Sequence, residues 1–151
     1  MTRKDYFIEL WCYWLKRLRI KEIKIRNDFR YNCHACVETW EDGRKELVLN
    51  SRKLGQWPEY LITNCVFHEL GHLQKDLPYE TDEEQIFSEF TAETYALKMQ
   101  KKYYPKDYYL NCKWVKNRMD NNYYQKKWPI HYQAFLKIKE YTIGVNYEEM
   151  L

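Results

Sequence analysis

The stretch Val66-Phe67-His68-Glu69-Leu70-Gly71-His72 constrains this chain more than any other. It holds two of the four histidines, spaced four residues apart, with a glutamate directly after the first. Side chains four apart on a helix stack one turn above each other on one face, so two imidazole nitrogens can converge on an ion about 2.0–2.1 Å from each. The surrounding pattern supplies the helix: Leu61, Ile62, Cys65, Val66, Leu70 and Leu73 recur at threes and fours after Pro58, which suits the first helical position. Glu69 is rotated by about 100° from His68 and can reach the ion's water without ligating it. The spacing therefore predicts a zinc site with a carboxylate base, against the plainer alternative of a helix with two packed or surface histidines.

A catalytic zinc needs a third protein ligand and leaves a fourth position for water. Downstream, Thr81-Asp82-Glu83-Glu84 reads as a capping box opening a second helix. Lys98, Lys101 and Lys102 occupy its last turn, and Pro105 stops it. Within that helix Glu89 and Glu93 lie four apart, so one face can turn two carboxylates toward the histidines.

The rest of the chain frames an α+β fold in a single domain, residues 1–151. At 151 residues and 45% apolar content it can bury one core, in which rings figure heavily at 18% aromatic. The first twenty residues open basic, like a signal peptide. Asp5, Glu9 and Lys16 break every apolar run, and Phe7, Trp11, Trp14, Leu15 and Leu18 fit an amphipathic N-terminal helix instead. No segment approaches membrane-span length, so a cytoplasmic location without a membrane partner is expected. Three strands follow, KEIKIR, CHACVETW and KELVLN, the last two flanking an Asp42-Gly43 hairpin signal. The active-site helix, the glutamate-bearing helix and C-terminal helices complete the expected order.

Five cysteines without a secretory signal point to reduced thiols. Cys33 and Cys36 have the spacing of a zinc knuckle but lack a second ligand pair, and two small apolar thiols beside a strand is the plainer reading.

"HELGH", followed seventeen positions after its second histidine by "EFTAETYA", resembles the gluzincin metallopeptidases, whose second helix carries the pattern E-x-x-A-D-x-x-A. The likeness is nearest to the CAAX prenyl endopeptidase type and the soluble minigluzincins, and more distant to the ImmA/IrrE-type metallopeptidases. It spans residues 45–99. It implies a zincin-like fold, one zinc per chain held by His68, His72 and Glu89, and Glu93 in place of the family aspartate, accepting a hydrogen bond from a ligand histidine. It also implies that Lys45 to Asn50 form the edge of the cleft and pair with extended substrate. The membrane helices and lipid substrates of the prenyl endopeptidases do not carry over.

The implied activity is peptide-bond hydrolysis of a protein or peptide substrate, more as an endopeptidase than an exopeptidase, with Glu69 as general base. An oxyanion donor is also needed; His131 and C-terminal tyrosines such as Tyr123 and Tyr124 are the candidates, while His34 reads as structural. Two rival readings stand beside this. Lys98 to Lys139 holds eleven basic against two acidic residues, interleaved with Tyr103, Tyr104, Trp114, Tyr123 and Trp128, which could form a nucleic-acid surface. A zincin-like protein without turnover is the other, and the intact Glu69 weighs against it.

Overall fold

The computed structural model describes residues 1–146 and 148. Among them the chain is α+β, with eight helices and a three-stranded mixed sheet. Helix α1 (Arg3–Arg17) is capped by the Thr2 hydroxyl and buries Phe7, Trp11, Trp14 and Leu15, the stripe expected from their spacing. Strands β1 (Lys24–Asn27), β2 (Ala35–Thr39) and β3 (Lys45–Leu49) follow. The connection between β2 and β3 is a hairpin: the Gly43 N–H returns to the Trp40 carbonyl, and Gly43 takes a φ of 85° that a side chain would resist.

One expectation about the sheet is overturned. Lys45 to Asn50 were to be an edge strand open to substrate, but the strand order is β1-β3-β2, so β3 is central. Its two sides are consumed by β1, which pairs parallel, and by β2, which pairs antiparallel. The apolar run Leu47, Val48 and Leu49 is fully buried, as a strand covered on both faces requires. Asn50 leaves the strand and caps a short helix, α2 (Ser51–Leu54), by accepting from the Arg52 and Lys53 N–H groups.

Helix α3 (Glu59–Gln74) carries the histidines. Pro58 is its N-cap rather than its first residue, with an extended ψ of 164° and a carbonyl that accepts from Leu61 and Ile62. Nearly every residue from Leu61 to Gly71 is buried, so α3 runs through the molecule rather than over its surface. Helix α4 (Asp82–Tyr103) opens with the expected capping box between Thr81 and Glu84. Pro105 ends it and also begins α5 (Pro105–Asp120). Then come α6 (Tyr123–Lys127), α7 (Pro129–Phe135), with Pro129 in its first turn, and α8 (Lys139–Thr142).

Two apolar clusters flank the α3–α4 pair. One joins α1 and the sheet to α3 through Trp14, Leu47, Leu49, Phe67 and Leu70; the other joins α4 and α5 to α7 and α8 through Leu97, Val115, Phe135 and Tyr141. A buried polar knot sets the register between helices. Gln100 donates to the Thr63 hydroxyl and the Tyr60 carbonyl and accepts from Asn64, while Thr63 donates to Asp107. Among the described residues no helix is long and apolar enough to cross a membrane.

Candidate metal centre

The register of α3 against α4 brings His68, His72 and Glu89 to one point. Glu89 Oε1 lies 2.8 Å from His68 Nε2 and 3.0 Å from His72 Nε2, and the two Nε2 atoms are 3.1 Å apart. A tetrahedral zinc with ligands at about 2.0–2.1 Å spaces them by about 3.3–3.4 Å, so these three atoms would need to spread by about half an ångström or less to take the ion.

The far side of each ligand is held. His68 Nδ1 lies 3.3 Å from Glu93 Oε1; a carboxylate can only accept, so Nδ1 carries a proton there, and Nε2 is the nitrogen that would turn a lone pair to an ion. His72 Nδ1 meets the Ser88 hydroxyl at 3.3 Å, and the Tyr79 phenol donates to Glu89 Oε2 at 2.5 Å. Glu93 in turn accepts from Tyr141 at 2.9 Å, and Tyr141 accepts from Asn111 Nδ2 at 3.0 Å. Glu89 therefore touches the converging nitrogens of both histidines, whereas Glu93 meets only the outward nitrogen of His68.

Glu69 sits on the other flank. Val37 N–H donates to its Oε1 at 2.8 Å, which fixes the carboxylate and leaves Oε2 4.0 Å from His68 Nε2. Pairing in β2 explains this contact: His34 and Trp40 bond across to β3, so the odd residues between them, Val37 included, turn their backbone groups away from it. The half-buried His131 of α7 reaches in from the C-terminal part, with Nε2 3.3 Å from Glu89 Oε1 and its ring nearly parallel to that of His68.

Charge in the centre is tightly coupled. Burial opposes a charge on His68, but the adjoining Glu89 and Glu93 carboxylates outweigh it and hold its pKa well above the usual range. Burial opposes a charge on Glu89 too, yet His131, His68 and His72 hold it well below the usual carboxylate range. Glu69 has no such surplus of partners; burial raises its pKa against the opposing pull of His72 and His68. Tyr79 and Tyr141 are both pushed up, chiefly by burial, so each hydroxyl keeps the proton it donates.

Among the described residues two groups of donors are close enough to share an ion: His68 with Glu89 and His131, and His68 with Glu69 and His72. Neither includes Cys33 or Cys36. All five expected site residues thus come together, and His131 joins them. Tyr123 and Tyr124 line the adjoining cavity, where Tyr124 packs edge-on against Phe135. Ser88 and Tyr79 were not foreseen. Ser88 had a signal, since it lies directly before Glu89 and sixteen positions after His72 on a capped helix, but Tyr79 lies in a loop whose path no periodicity fixes.

Compared with known families, curated proteins and solved structures, the chain matches no family model, no curated protein and no solved structure.

Proposed function

We propose that this chain is a zinc-dependent metallopeptidase of gluzincin type, with a zincin-like fold. The observation that carries the reading is the convergence of His68 Nε2, His72 Nε2 and Glu89 Oε1 to within 2.8–3.1 Å of one another, with Glu69 Oε2 beside them. The order of elements supports it as well: a small sheet beside the H-E-x-x-H helix, then a glutamate-bearing helix packed against it.

His68, His72 and Glu89 would hold the zinc, which when bound polarises a carbonyl and makes water a better nucleophile at neutral pH. The chain's own residues do the rest. The Val37 N–H holds Glu69 Oε1, so Oε2 is the atom free to take a proton from the attacking water and return it to the leaving amine. Glu93 keeps the His68 proton on Nδ1, and Tyr141 keeps Glu93 in place. His131 faces Glu89 across the centre and is the donor positioned to meet a developing oxyanion. The strand that runs beside Glu69 is β2, whose outer side has no strand partner among the described residues, so it replaces β3 as the strand available to an extended peptide.

The test is Glu69→Gln, assayed with a fluorogenic peptide library on zinc-loaded protein. Glutamine keeps the shape but cannot take the proton, so zinc is retained and cleavage is lost by a factor of about 10² or more. Wild-type cleavage by the variant removes the role given to Glu69.

A further inference from the structure

Structural zinc sites are closed by four protein donors, whereas catalytic ones keep one corner for water. Which kind this centre is depends on what else reaches it, and His131 does. Its Nε2 lies 3.3 Å from Glu89 Oε1, which is the spacing of about 3.3–3.4 Å between two ligands of one tetrahedral zinc. His68, Glu89 and His131 moreover form one of the two donor groups whose atoms all fall within 4.8 Å of one another. Glu69 is the rival for the same corner and is less well placed. Its Oε2 is 4.0 Å from His68 Nε2, and its Oε1 is held by the Val37 N–H.

His131 is held more loosely than the groups it joins. His68 Nδ1 faces Glu93, His72 Nδ1 meets Ser88, and Glu89 Oε2 accepts from Tyr79. The His131 ring rests instead edge-on against Trp128 and Phe135, and among the described residues no hydrogen bond holds its Nδ1. Its side chain is 34% exposed, against 10% for His68 and 19% for His72. An imidazole whose outer nitrogen is anchored keeps its orientation toward an ion, and one without that anchor turns away at lower cost. There is room beside it, since a cavity of about 190 Å³ has His68, Glu69 and His131 on its lining.

We propose that His131 is a fourth, displaceable ligand of the zinc, so that the resting chain is latent until a substrate pushes it aside. This rests on the peptidase reading and adds the regulation of that site. With His68, His72, Glu89 and His131 all engaged there is no corner for water, and Glu69 has no proton to take. Opening exchanges one donor for another: His131 Nε2 gives up its bond to the ion and a water oxygen takes its place, with no electron transferred. The freed imidazole remains beside Glu89, where it can meet the oxyanion.

Zinc titrated into the full chain labelled with nitrogen-15 at its four histidines, followed by NMR, tests the ligation without turnover. Ring nitrogens of His68, His72 and His131 should all move to metal-bound shifts, with His34 keeping those of a free imidazole as the internal control. His131→Ala should remove one bound signal and weaken zinc by about tenfold or more in a chelator competition, since losing a ligand costs no less than losing the partner of one. If that variant does not fold, the wild-type spectrum decides alone. Acetohydroxamate, a small zinc chelator, should return His131 to the free shift and leave His68 and His72 bound. Bound shifts at His68 and His72 only, or a His131 that stays bound beside the hydroxamate, overturns the proposal and leaves the peptidase reading standing. A His131 that binds and is displaced in a chain that cleaves no peptide counts against the peptidase and not against the closed centre. No shift at any histidine overturns both.

Discussion

Gly71 of α3 lies so close to Ala92 of α4 that a methyl group added to Gly71 would meet the Ala92 Cα at 3.1 Å and its carbonyl oxygen at 3.3 Å. Both of these atoms are backbone, which cannot rotate aside, and the Tyr95 ring stands at 3.3 Å beside them. Glu89 is three residues before Ala92 on the same helix, and His68 and His72 bracket Gly71 on the other. This contact therefore sets the distance between the carboxylate and the imidazoles.

Gly71→Ala is accordingly expected to push the helices apart. Overpacking costs about 1–3 kcal/mol, and the gain in helix propensity over glycine returns at most about 1 kcal/mol, so net destabilisation is expected. Zinc affinity should fall with it, because Glu89 moves away from both histidines. Denaturant unfolding and a chelator competition on the purified variant measure the two effects; greater stability with unchanged affinity would contradict the close approach.

Glu89 and Glu93 should behave differently when truncated. Glu89→Ala removes an atom placed 2.8–3.0 Å from both Nε2 atoms, so zinc should be held weakly or lost. Glu93→Ala removes only the partner of His68 Nδ1 and should cost about 10–100-fold in affinity. Chelator titration of both variants gives the order, and a larger loss at Glu93 would exchange their roles.

His34 supplies a pH dependence away from the metal. Its ring stacks on Trp57 with centroids 3.6 Å apart, and burial, with the charges of Lys53 and Lys127, pushes its pKa down from 6.5 to about 4. The folded pKa is below the unfolded one, so the unfolded chain takes up a proton first as the pH drops. The stability contributed is complete above about pH 6.5 and is lost as pH falls toward about 4. In His34→Gln the dependence of unfolding free energy on pH across that window should be shallower than in the wild type. Equal slopes would mean that His34 titrates normally in the fold.

Local signals carried much of this architecture, and long-range packing carried the rest. The capping box at Thr81, the Asp42-Gly43 turn, the apolar stripe of α1 and the histidine spacing all act within a few residues, so each was legible. The central position of β3 was not, because its parallel pairing with β1 joins strands separated by the whole of β2. The same limit applies at the site. Glu89 and Glu93 share a face by spacing, but only the approach of α4 to α3 decides which of them meets both histidines. The Gln100–Thr63–Asp107 knot that fixes this register spans 37 and 44 positions of sequence. Gly71 was a clue in plain view, since a glycine inside a helix costs about 1 kcal/mol and calls for a packing reason.

His68, His72 and Glu89 would together hold one zinc. Elemental analysis of protein reconstituted with zinc and freed of excess metal, carried out in parallel on the His68→Ala, His72→Ala double variant, tests it most directly. About one zinc per chain is expected in the wild type and none in the folded variant. A wild-type protein without metal, or a double variant that keeps its zinc, would contradict it.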